Sequence, residues 1–122
     1  MKVLLVDDQE DIRKIGRLSL EAVGKHQVML AANAAEAIHL ARSQPDLILM
    51  DMMMPGRDGL SALAELRTTP ELSAIPVLFM TAKVQRSELE HYLQAGAIGV
   101  IQKPFDPMTL PSEIEKIMSA LG

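Results

Sequence analysis

Five side chains able to do chemistry stand just after short apolar runs. Asp7 and Asp8 follow Val3–Val6 (VLLV), Asp51 follows Leu47–Met50 (LILM), Thr81 follows Val77–Met80 (VLFM), and Lys103 follows Gly99–Gln102 (GVIQ). A fifth run, Val28–Ala31 (VMLA), leads only into Ala32 and Asn33. Taken singly, each reactive residue has a plainer role. Asp7 or Asp8 can cap a helix, and Asp51 can bind loop N–H groups. Thr81 can cap or turn the chain, and Lys103 can be a solvated lysine. As a set they mean more. Carboxylates held a few ångströms apart repel and drive one another toward protonation unless a cation lies between them. An Asp carboxylate is also a nucleophile that can form an acyl phosphate. A cation and an amine around it are the parts that neutralise a transferring phosphoryl group.

Whether the set converges depends on the elements that carry it. The apolar runs are continuous rather than alternating, as in strands buried on both faces of a parallel sheet. Amphipathic stretches separate them. Ile12, Ile15, Leu18, Ala22 and Val23 share one helical face ending at Gly24 as a C′ residue. Ala37, Ile38 and Ala41 mark a second helix over Ala34–Ala41, stopped by Pro45. Leu60, Leu63, Ala64 and Leu66 form a third, capped by Asp58. The spacing of Ser87 and Glu90 predicts a capping box for a fourth over Ser87–Ala95, with Gly96 as its stop. The fifth runs from Pro107 to Leu121, with Leu110, Ile114, Ile117 and Leu121 inward. Five β/α pairs imply an α/β fold, a doubly wound five-stranded parallel sheet with helices on both faces. Ligands bind beyond the carboxyl ends of such strands, where all five reactive residues lie.

Composition narrows the chemistry. At 122 residues, 48% of them hydrophobic, the chain is expected to fold as one domain over residues 1–122, not as a disordered segment. The net charge of −4 argues against nucleic acid or an anionic membrane as partner. Phe79, Tyr92 and Phe105 are the only aromatic residues, too few for a base-stacking surface. With no cysteine and no histidine near the reactive set, every ligand is a hard oxygen, which selects Mg²⁺ over zinc. His26, His39 and His91 are scattered and read as surface residues. The opening MKVLLVDD is too short for a signal peptide or a membrane span, so a soluble cytoplasmic protein is expected.

The segments VLLVDDQEDIR, LILMDMMMPGRDG, FMTA and GAIGVIQKPF, in this order and spacing, resemble the receiver domain of two-component response regulators. The resemblance spans essentially the whole chain. It implies strand order 2-1-3-4-5 and a Mg²⁺-dependent phosphoacceptor switch that catalyses only its own phosphorylation and dephosphorylation. Asp51 matches the phosphoacceptor and Asp8 the direct Mg²⁺ ligand. Asp7 matches the acid that holds the ion through water, and the Met53 carbonyl the remaining protein ligand. Lys103 matches the lysine that pairs with the acceptor, its bond to Pro104 is expected to be cis, and Thr81 matches the hydroxyl that moves toward the phosphoryl group. The partners implied are a histidine kinase or histidine phosphotransfer protein, docked on Ile12, Ile15, Pro104 and Phe105, and a downstream protein or fused output domain. The alternative is a degenerate receiver that binds proteins without phosphorylation.

The chain departs from this family at two places, Val100 and the segment AIGV (97–100). That segment has neither the acidic pair nor the Tyr that often opens the fifth strand of receivers pairing through the fourth helix, fifth strand and fifth helix, so dimerisation by that route is not expected. Val100 stands where many relatives carry an aromatic that swings inward with the threonine, and Tyr92 is no positional match. Met53 and Lys83 occupy the two variable positions that tune phosphoryl lifetime. Met53 also stands where a dehalogenase-type phosphatase would need a second acid, which counts against hydrolysis of external phosphoesters. The acidic DDQED after the first run would repel the phosphate that a flavodoxin cradles there.

Overall fold

The computed structural model describes residues 1–82 and 85–121. Lys83, one of the lifetime-tuning positions, lies outside the described residues. Five strands, β1 (Lys2–Val6), β2 (Gln27–Ala31), β3 (Leu47–Asp51), β4 (Val77–Thr81) and β5 (Gly99–Gln102), pair in parallel in the order β2-β1-β3-β4-β5. Every residue of β3 and β4 is buried, as the continuous apolar runs require of strands covered on both faces.

The helices are α1 (Glu10–Leu18), prolonged by a π-helical turn (Ser19–Val23), α2 (Ala34–Leu40), α3 (Gly59–Thr68), α4 (Arg86–Gln94) and α5 (Leu110–Ser119). Alternate strand residues feed two cores. Leu4, Ile48, Met50 and Phe79 pack with Ala37, Leu63, Leu66 and Tyr92 on the face of α2, α3 and α4. Val3, Leu5, Leu49 and Leu78 pack with Leu20, Leu110 and Ile114 on the face of α1 and α5. Each such fully buried side chain contributes roughly 1.5–3 kcal/mol through the apolar area removed from water.

Local chemistry explains several element ends. Asn33 accepts a hydrogen bond from the Glu36 N–H at 2.9 Å and caps α2. Asp58 accepts one from the Ser61 N–H at 2.8 Å and caps α3 as expected. Gly56 (φ 79°) turns the chain before α3, and Gly96 (φ 111°) follows α4.

Five details of the helical reading are corrected. The apolar stripe of α1 does not face the core: Ile15 is 41% exposed, and Leu18, Ala22 and Val23 are exposed too. The buried residues are Gly16, Ser19 and Leu20. A Cβ on Gly16 would stand 2.6 Å from Leu5 Cδ2, so the glycine lets α1 settle on β1. The π turn then shifts the register that a 3.6-residue period assumes. Gly24 is not the left-handed C′ residue; Lys25 takes that conformation at φ 60°. The glycine is needed for space, since a Cβ there would meet Pro111 Cβ and His26 Cδ2 at 2.8 Å. The Ser87–Glu90 capping box does not form, because α4 begins at Arg86 with Gln85 as N-cap. Glu90 faces Arg86 at 3.6 Å instead. The fifth helix begins at Leu110 rather than Pro107, and Leu121 is exposed beyond its end. His26 is no surface residue: it is tucked between the chain's first amine (3.1 Å) and Glu115 of α5 (2.9 Å).

Candidate functional site

β1, β3, β4 and β5 end side by side, so the residues they deliver meet at one edge of the sheet. Asp7 leaves β1 fully buried, its N–H held by the Ala31 carbonyl at 3.1 Å. Its Oδ1 accepts from the Gln9 N–H at 2.9 Å, and its Oδ2 from Lys103 Nζ at 2.7 Å. Asp8, the next residue, is exposed. Asp51 is the last residue of β3 rather than the first beyond it, and only 6% exposed. Its Oδ1 accepts from the Met53 N–H at 3.3 Å and lies 3.4 Å from Lys103 Nζ. The Lys103 N–H donates to the Thr81 carbonyl at 2.8 Å, which ties the ends of β4 and β5 together. The Lys103–Pro104 bond is cis, as expected.

The loop from Met52 to Asp58 is drawn under the site. Met52 is buried in the core, while Met53 is 72% exposed. The Gly59 N–H donates to the Met52 carbonyl at 2.8 Å, and a Cβ at Gly59 would stand 2.7 Å from Phe79 Cε1 and 3.2 Å from the Asp51 carbonyl. Only glycine lets α3 start this close to the acid.

The electrostatics match this crowding. Burial pushes the Asp51 carboxyl above the usual carboxylate range; the charge on Asp7 adds to this and Lys103 opposes it. For Lys103, burial is the largest single influence and pulls downward. The hydrogen bond to Asp7 and the charges of Asp51 and Asp7 together outweigh it, so the ammonium is held above its ordinary value. The lysine sits nearer Asp7 than Asp51, 2.7 Å against 3.4 Å. Carboxylate oxygens of Asp7, Asp8 and Asp51 all lie within 4.8 Å of one another. A donor set of hard oxygens at this spacing, one member open to solvent, fits Mg²⁺, which keeps several of its waters. Asp8 and Asp51 border a solvent-facing cleft of about 320 Å³ whose wall also includes Met53, Thr81 and Lys103.

All five reactive residues named from the sequence thus come together. Ile12, Ile15, Pro104 and Phe105 also line one groove, of about 460 Å³, next to the cleft. Three contributors were not foreseen. Gln9 lines both cavities besides bonding Asp7. Arg13 Nη1 donates to the Asp7 carbonyl at 2.7 Å from the first turns of α1. Tyr92, on α4, borders a cavity with Thr81, and its one signal in the sequence is that α4 carries no other aromatic residue.

A family model described as "Response regulator receiver domain" matches residues 3–115. The chain belongs to the response regulator receiver domain family. It is 34% identical over 122 residues to the chemotaxis protein CheY-3 of Vibrio cholerae, covering 99% of this chain and 94% of that one. To protein PilH of Pseudomonas aeruginosa it is 37% identical over 120 residues, covering 97% of this chain and 98% of the relative. The solved structure of the chemotaxis response regulator CheY4 of Vibrio cholerae superposes with a TM-score of 0.87 at 30% identity, covering 95% of this chain and 97% of that one. The strand order observed here is therefore that of a receiver domain of two-component and chemotaxis systems. Among the described residues no helix is long and apolar enough to cross a membrane. Against the receiver pattern one departure stands out in three dimensions. Val100, in register with Phe79 across β4 and β5, is half-buried and packs into the same core cluster as Tyr92.

Proposed function

We propose that this receiver domain is a Mg²⁺-dependent phosphoacceptor switch in the cytoplasm, with Asp51 as the acceptor. The observation that carries the reading is the pairing of Asp51 with Lys103 at 3.4 Å inside a cluster of three carboxylates. A bound Mg²⁺, held by Asp8, Asp51 and the Met53 carbonyl, and by Asp7 through water, would neutralise the acids and the phosphoryl oxygens. The chain's own groups do the rest. An Asp51 oxygen attacks the phosphorus of a phosphohistidine; the P–N bond breaks, the imidazole leaves with a proton, and an acyl phosphate remains. Lys103, already charged and anchored by Asp7, faces the phosphoryl oxygens, and Thr81 stands across the cleft to donate to another. Hydrolysis reverses the state: water attacks phosphorus, phosphate leaves, and the Asp51 carboxylate returns. The domain turns over no external substrate pool.

The donor is a histidine kinase or a histidine phosphotransfer protein. The groove lined by Ile12, Ile15, Pro104 and Phe105 supports docking there, since it opens beside Lys103 and Ile15 is left exposed on α1. The new charge on Asp51 then biases the output face toward a downstream protein or fused domain.

Intact mass after incubation with acetyl phosphate tests this reading. One added phosphoryl group is expected, lost on chelation of Mg²⁺ and lost in Asp51→Asn. Absence of the adduct, together with no response to beryllofluoride, would overturn it in favour of a receiver that only binds proteins.

A further inference from the structure

The cleft at Asp51 has a neighbour on the α4 side. A cavity of about 310 Å³ lies between Thr81 and Tyr92, walled also by Met52, Met53 and Glu88. Tyr92 is the single buried residue of α4. Its ring meets Phe79 edge-on, with centroids 5.4 Å apart and planes at 68°. Phe79 and Thr81 are two residues apart on β4, so their side chains point to the same face of the sheet, about 7 Å apart along the strand. Tyr92 therefore rests over Phe79 and, among the described residues, has open space ahead of it toward Thr81.

Val100 brings no aromatic ring from β5. In register with Phe79 on the neighbouring strand, it offers a short aliphatic side chain with no polar tip. The Tyr92 hydroxyl is the only phenol in the chain. Burial raises its pKa, and the charges of Glu88 and Asp58 raise it further, which locates both carboxylates near the ring. Glu88 thus borders both the ring and the empty space. Leu93, the next residue of α4, is exposed, so a shift of Tyr92 re-presents an apolar side chain on the outer surface.

We propose that Tyr92 relays the state of Asp51 to α4: when Thr81 moves toward the phosphoryl group, the ring slides off Phe79 into the cavity between them. The proposal rests on the reading of Asp51 as acceptor. It adds a positioning residue, on a helix rather than on β5, that links the site to the surface bearing Leu93. Packed interiors tolerate two discrete arrangements better than a continuous drift, and an existing void supplies the second one.

The chain contains one Tyr and no Trp, so tyrosine emission reports Tyr92 alone. Emission and intact mass are read on the same samples during phosphorylation by acetyl phosphate with Mg²⁺. The expected result is an emission change that rises and decays with the adduct. Expressed per mole of adduct, the change is retained in Thr81→Ser and lost in Thr81→Ala. A second measurement uses amide hydrogen exchange over α4 (Arg86–Gln94) in Tyr92→Phe, which keeps the ring and its packing. There the difference between phosphorylated and unphosphorylated protein should shrink severalfold, whereas a purely structural role would change protection equally in both states. Adduct formation with constant emission, or an unaltered α4 response in Tyr92→Phe, overturns the proposal. Absence of any adduct on the unmodified chain overturns the phosphoacceptor reading and this relay with it.

Discussion

Replacing Asp51 by asparagine should stabilise the metal-free protein. The Asp51 carboxylate lies within 4.8 Å of those of Asp7 and Asp8 and 3.4 Å from Lys103 Nζ. At an effective dielectric constant of about 20, charges 4.8 Å apart repel by roughly 3.5 kcal/mol, and opposite charges 3.4 Å apart attract by roughly 5 kcal/mol. Two repulsions exceed the one attraction by about 2 kcal/mol, part of which solvent screens because Asp8 is exposed. Burial of the charge adds to the cost. The amide oxygen of asparagine can still accept from the Met53 N–H, and Lys103 keeps Asp7. Asp51→Asn should therefore gain about 1–2 kcal/mol in EDTA, or roughly 4–8 °C in Tm. Urea denaturation of both proteins measures it. Saturating Mg²⁺ should narrow or reverse the gap, because an ion that binds the folded acidic cluster stabilises the native chain. An asparagine variant no more stable than the parent in EDTA would refute the reasoning and mean that Lys103 already neutralises the cluster.

Other consequences follow from the same geometry. In EDTA the gap between the parent and Asp51→Asn should close as the pH falls. A carboxyl held above its unfolded value contributes stability that is present at low pH and lost as pH rises through its folded value, and the amide has no such dependence. A gap constant from pH 7 down to the ordinary Asp range would contradict this. Lys103→Met should cost about 3–5 kcal/mol, because it strands a fully buried Asp7 without its cation; a urea midpoint close to that of the parent would contradict it. Asp58→Ala should cost about 1 kcal/mol by removing the α3 cap, and no loss would show that water replaces it. Met53→Asn should shorten the life of the phosphorylated state, since the exposed thioether beside Asp51 hinders attack by water and an amide there can hold one. A time course of adduct mass in Mg²⁺, after acetyl phosphate has been removed, decides it, with an unchanged or slower decay against the prediction.

Much of this site could be read from the sequence, for a specific physical reason. Asp7, Asp51, Thr81 and Lys103 interrupt runs too apolar to face water, so each had to mark a strand end, and parallel strands bring their carboxyl ends together. Asp58 was legible as a cap because its hydrogen bond is local. What escaped depended on contacts distant in sequence. The buried face of α1 falls on Gly16, Ser19 and Leu20, leaving Ile15 exposed, because the glycine settles against Leu5 of β1, a contact that apolar spacing alone does not signal. His26 is held by Glu115 from the far end of the chain. Tyr92 is brought to Thr81 by the packing of α4 on β4, which sequence offset does not encode.

The central claim is that Asp51 is the atom-level acceptor, and chemical trapping addresses it most directly. Borohydride reduces an acyl phosphate to the alcohol as phosphate leaves, which converts a phosphorylated aspartate to homoserine. Cleavage after Arg42 and Arg57 isolates residues 43–57, which contain Asp46 and Asp51. After acetyl phosphate, Mg²⁺ and borohydride, the account predicts homoserine at position 51 with Asp46 unchanged. Homoserine at Asp7, Asp8 or Asp46, or none on a protein whose intact mass shows the adduct, would contradict it.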